Sequence, residues 1–94
     1  MKKPFNVLGL EVPLIQSEVL ENNVAGDYCP VKKIIRVCRK NKKNQQKSII
    51  LHELLHAYFD RVGALDIGID EQTEEMLCNT LTALLLDNFR LTRK

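Results

Sequence analysis

The sequence predicts an α+β fold, in which a small N-terminal antiparallel sheet of about three strands packs on two C-terminal helices. Three observations lead there. Residues 5–38 are rich in β-branched and aromatic side chains and are punctuated at Gly9, Pro13, Asn22-Asn23, Gly26 and Pro30. Beyond residue 44, apolar residues recur at helical spacing in two blocks parted by a break near Gly63. Composition does not shift along the 94 residues, so one domain over residues 1–94 with one core is expected.

Taken in order, the strands are expected near residues 11–19, 24–29 and 32–38. Asn22-Asn23 would supply a hairpin turn, because Asn tolerates positive φ. In the last strand Ile34, Ile35, Val37 and Cys38 alternate imperfectly with cations, as suits a strand with one buried face. The first helix is expected to start at Asn44 as N-cap and run from Gln45 to Val62, with Gly63 as its left-handed stop. Ile49, Ile50, Leu51, Leu54, Leu55, Ala57, Tyr58, Phe59 and Val62 leave it little polar surface, which predicts a buried central helix. A loop from Ala64 to Ile69 leads to Asp70, a second N-cap, and a helix to about Phe89 with a frayed tail from Arg90 to Lys94. Met76, Leu77, Leu81, Leu84, Leu85 and Phe89 give that helix its apolar face.

Composition narrows the class. Hydrophobic residues make up 45% and charged residues 28%, the balance of a folded soluble chain rather than a disordered one. No apolar run suits a signal peptide or a membrane span, so a cytoplasmic protein without membrane contact is expected. Cys29, Cys38 and Cys78 are odd in number, widely spaced and without a CxxC pair. They read as reduced, buried small side chains rather than a disulfide framework or thiolate metal site. Net charge is +2, yet Lys32, Lys33, Arg36, Arg39, Lys40, Lys42, Lys43 and Lys47 fall in a stretch without an acid, while Asp60 to Asp87 is acidic. A basic stretch can attract nucleic acid, but no aromatic residue is interleaved among these cations, and a solvated face is the favoured reading.

The residues that carry chemistry are His52-Glu53-Leu54-Leu55-His56, an HExxH pattern. Side chains four apart share a helix face, so the two imidazoles can converge on one metal ion. Neutral imidazole is a good zinc ligand. Glu53, one position on, projects beside the metal, where it can take a proton from the water that the metal acidifies. His52 and His56 are the only histidines, so a third ligand must be a carboxylate or a thiolate. An antiparallel helical hairpin would bring Glu71, Glu74, Glu75 or Cys78 beside them, and spacing leaves these four open.

Ile49 through Ala57, followed by Glu75-Met76-Leu77-Cys78-Asn79 and Leu84-Leu85-Leu86-Asp87-Asn88, resembles the gluzincin-type metallopeptidases of phages and mobile elements. It is similar to the ImmA/IrrE group and to very small stand-alone gluzincins. Gly26-Asp27-Tyr28 with Ile34-Ile35-Arg36-Val37 resembles the strand region ahead of the HExxH helix, so the likeness covers roughly residues 24–90. The second helix of that group reads E-x-x-A-N. The resemblance therefore implies a two-helix zincin core, Glu75 as third zinc ligand and Asn79 one turn on, with Cys78 in the alanine place. From its place one turn beyond Glu75, Asn79 could orient a ligand histidine from its outer nitrogen, and a plain helix-surface asparagine is the equal alternative. Larger gluzincins complete their cleft with a C-terminal subdomain that has no counterpart here. Tyr28, Tyr58 and Arg61 are the candidates for stabilising an oxyanion, each more often a structural residue.

The resulting expectation is a zinc-dependent endopeptidase acting on a protein, in the group's case a regulatory protein such as a phage repressor. Two alternatives stand beside it. One is a catalytically silent phage binding module stapled by zinc; the other is a nucleic-acid-associated protein using residues 32–47.

Overall fold

The computed structural model describes residues 3–18 and 20–92. Five strands in two sheets precede two long helices. The first sheet is a hairpin of β1 (Phe5–Val7) and β2 (Leu10–Val12), in register Phe5↔Val12 and Val7↔Leu10. Its two-residue turn, Leu8-Gly9, takes φ of +51° and +88°, as a type I′ turn requires. The sequence expectation omits this hairpin, because the left-handed conformation falls partly on a leucine, which carries no turn signal.

The second sheet has the order β3 (Leu14–Ser17), β5 (Ile34–Cys38), β4 (Gly26–Cys29). β4 pairs with β5 antiparallel, as expected, but β3 pairs with β5 in parallel. Asn22-Asn23 is consequently no hairpin turn. Asn23 does take a positive φ of 54°, but it ends a 3-10 turn (Glu21–Asn23) that carries the chain from β3 past the central strand to the far edge. The expected strand over 11–19 is divided between β2 and β3 at Pro13, and its last residue, Val19, lies outside the described residues.

Helix α1 (Lys43–Arg61) lies between sheet and helix α2 (Glu71–Asn88), touching β1, β4 and β5 on one side and α2 on the other. It starts one residue before the expected cap, because the Gln45 side chain reaches back to accept from the Lys42 backbone amide at 3.2 Å. Gly63 ends the helix at φ +71°, where glycine pays no Cβ penalty. At α2 the Asp70 carboxylate accepts from the Thr73 amide at 2.7 Å, the expected cap. Of the expected frayed tail, Arg93 and Lys94 lie outside the described residues.

Val7, Val12, Ile35 and Ala57 form the buried centre, with Phe5, Leu10, Leu14, Tyr28 and Leu54 packed around it. Within α1 only Ala57 is fully buried. The expectation of a helix buried all round is thus corrected: both its contact faces are used, but its flanks open onto cavities. Gly26 explains how closely α1 approaches the sheet. A Cβ there would lie 2.4 Å from Ile49 Cγ2 and 2.9 Å from the Arg36 carbonyl oxygen, so no larger residue fits without movement. No helix among the described residues is long and apolar enough to cross a membrane.

Three of the eight clustered cations are answered by acids from elsewhere in the chain. Lys33 meets Asp60 at 2.8 Å, Arg36 meets Asp27 and Glu21, and Arg39 approaches Glu18 at 3.6 Å. The basic stretch read along the sequence is therefore narrower in space, and centres on the start of α1.

Candidate metal centre

α1 presents His52 and His56 on one face, their ring centroids 4.8 Å apart and their Nε2 atoms 3.2 Å apart. α2 crosses this face in its second turn and inserts the Glu75 carboxylate between the rings. Oε1 lies 3.0 Å from His52 Nε2 and Oε2 lies 2.8 Å from His56 Nε2. Among the described residues this is the one group of three or more histidine, cysteine, aspartate or glutamate side chains whose ligand atoms converge, all within 4.8 Å of one another. Of the four residues that spacing left open, Glu71 is exposed and outside the group. Cys78 is fully buried, and burial together with Glu74, Glu75 and Glu53 pushes its thiol up to about 12, which keeps it protonated.

Glu74 has a different place. Its Oε2 lies 2.8 Å from His56 Nδ1, and its side chain is only 15% exposed. A carboxylate only accepts, so Nδ1 carries the hydrogen toward Glu74, and in the neutral ring this leaves the Nε2 lone pair for a metal ion. The outer nitrogen of His56, which the sequence offered to Asn79, is thus met by Glu74. Asn79 instead lines the cleft and bonds to neither histidine among the described contacts.

The donor set fits zinc: two imidazole nitrogens and one carboxylate, with a fourth side facing a cleft. Tetrahedral ligands at about 2.0–2.1 Å from zinc are about 3.3–3.4 Å apart. The separations of 2.8–3.2 Å are a few tenths shorter, a gap that rotation of the half-exposed Glu75 side chain can open. Two facing imidazole lone pairs and a carboxylate repel one another unless a cation or a proton sits between them. The proton is the alternative occupant. Burial lowers the basicity of His56, but Glu74, Glu53 and Glu75 outweigh it, and the imidazole is raised above its ordinary value.

Glu53 stands beside this triad, its Oε2 4.0 Å from His52 Nε2 and its side chain 14% exposed. Burial foremost, with repulsion from Glu75 and Asp27, lifts its carboxyl to about 7, against the charge of His56 and a backbone hydrogen bond at Tyr28. A carboxyl so placed exchanges protons near neutrality.

The cleft beside His52 and Glu75 has a volume of about 520 Å³ and is walled by Gly26, Ser48, Glu53, Asn79, Thr82 and Asp87 as well, while His56 lines a neighbouring cavity with Glu53 and Glu74. Among the described residues the buried Thr82 hydroxyl has no hydrogen-bond partner, which no sequence signal marked. The three oxyanion candidates are engaged or remote. Tyr28 donates to Asp60 at 2.7 Å, Tyr58 donates to the Asn6 carbonyl at 3.2 Å, and Arg61 lies exposed near the C-terminal end of α1, away from the cleft. No protein-family model matches the chain, and no curated protein or solved structure matches it either.

Proposed function

We propose that the chain is a gluzincin-type, zinc-dependent peptidase of the ImmA/IrrE-like kind, acting in the cytoplasm on a protein. One observation carries the reading: His52, His56 and Glu75 converge on one point with Glu53 alongside and Glu74 behind His56. Zinc held there would supply a Lewis acid that polarises the scissile carbonyl and acidifies a water. The chain's own residues supply the rest. Glu53 takes a proton from the attacking water on the open side of the triad and returns it to the departing amine. Glu74 holds His56 in one tautomer and orientation.

Among the described residues β4 has a neighbour on one side only, and its residues from Gly26 to Tyr28 line the cavities on either side of Glu53. Its unpaired backbone edge can hold an extended substrate as an added strand, laying a peptide bond across the cleft. The exposed Asn79 side chain is within that cleft to meet polar groups of the bound chain. The free thiols of Cys29, Cys38 and Cys78 suit a reducing compartment.

Co-expression of the wild type and Glu53→Gln with candidate proteins, followed by mass spectrometry of new termini, tests the reading. Cleavage by the wild type and a loss of about 10²–10⁴-fold in the variant, with zinc retained in both, is expected. Equal cleavage by the two proteins would remove Glu53 as the base. Zinc bound without any cleavage would favour the metal-stapled module, which the small number of fully buried side chains also suits.

A further inference from the structure

On the flank of α1 away from the metal lies a larger cavity of about 770 Å³. Leu14, Ile50, Leu54, Leu86, Phe89 and Leu91 line it, and of these Leu86, Phe89 and Leu91 are 38%, 59% and 41% exposed. Contiguous apolar surface of this kind, left open beside a small core, marks an interaction site rather than incomplete folding. The ionisable residues around it are Lys3, Lys47 and Arg90, and no acid lines it. None of the three makes an ion pair with a described residue.

The cations come from three separate segments: the stretch before β1, the second turn of α1, and the chain just past α2. Lys47 shares one stripe of α1 with Ile50, Leu51 and Leu54, at the i, i+3, i+4 and i+7 spacing that also lies along the groove. α1 carries no acid in its first turn although its dipole would favour one there. A sequence that sets cations at that end, unpaired, departs from the local rule as chains do at functional positions.

We propose that this groove docks an amphipathic helix of a partner protein, its leucine-type anchors in the cavity and its glutamates or aspartates on Lys3, Lys47 and Arg90. Charge complementarity selects the occupant. A fatty acid brings one carboxylate to a site with three dispersed cations, and a nucleic acid brings charge but no apolar stripe to fill the cavity. Leu86 lines both this groove and the cleft that holds His52 and Glu75, so the two cavities share a wall on α2. The inference does not depend on peptidase activity.

The test is fluorescence anisotropy with a labelled helical peptide of about 18 residues, long enough to hold a helix, with leucines at i, i+4 and i+7 flanked by glutamates. Binding to the full chain is expected at about 50 mM salt and should weaken at about 300 mM, where charges are screened. Lys47→Glu with Arg90→Glu should lower affinity at least about tenfold, corresponding to removal of two charge contacts. Because both residues are exposed, the circular dichroism melt should be preserved. Phe89→Asp, also at an exposed position, gives an independent loss if that double variant fails to fold. Glu53→Gln should bind as the wild type does, which separates this site from the catalytic reading. Equal affinity for a peptide with lysines in place of the glutamates would overturn the proposal. So would displacement of the peptide by laurate or duplex DNA at lower concentration than unlabelled peptide.

Discussion

Glu53→Gln has a consequence beyond lost turnover, visible in the metal-free protein. The fold lifts the Glu53 carboxyl from 4.5 to about 7 because burial penalises its charge. Between those values the folded state keeps a proton that the unfolded state has released, so stability falls as pH rises from about 4.5 to about 7 and is flat above. At about 1.4 kcal/mol per pH unit the full effect is about 3 kcal/mol, and water reaching the carboxylate through the cleft reduces this to about 2 kcal/mol. Glutamine keeps the size and the acceptor oxygen but never ionises. Denaturant melts in EDTA should therefore show the variant more stable than the wild type by about 2 kcal/mol at pH 8, or roughly 10 °C in Tm, and nearly equal to it at pH 5. Equal stability at pH 8, or a gain as large at pH 5, would show that Glu53 is not a carboxylate held against its charge by burial.

Three further outcomes follow from the same site. Zinc measured by metal analysis should be lost on His52→Ala, His56→Ala and Glu75→Ala, fall by about 10–100-fold in affinity on Glu74→Ala, and be unchanged on Glu71→Ala, which lies outside the group. Zinc affinity should decline as pH drops through the raised titration range of His56, with proton release on binding measurable by calorimetry in two buffers; pH-independent affinity would place the metal elsewhere. Gly26→Ala should lower unfolding free energy by about 1–3 kcal/mol in urea melts, since its methyl must displace Ile49 or the Arg36 carbonyl, and an unchanged midpoint would refute that contact.

What the sequence alone determines is whatever a short stretch can express by itself. His52 and His56 share a face because any helix puts residues four apart together, and Asp70 caps α2 because its carboxylate reaches an amide three residues on. The α+β class and the antiparallel pairing of β4 with β5 follow from periodicity and nearby turns. Other features wait on partners distant in the chain. Asp60 and Asp27 neutralise cations that look unopposed in sequence, and β3 lies parallel to β5 although the segments between them read as a simple hairpin. The division of labour on α2 is of this kind. Each residue turns its side chain by about 100° around the helix axis, so which of Glu71, Glu74, Glu75 and Asn79 meets the histidines depends on how α2 is rotated against α1. Packing fixes that rotation by burying Cys78 and Thr82. It brings Glu75 onto both Nε2 atoms and Glu74 behind His56, and leaves Asn79 facing the cleft.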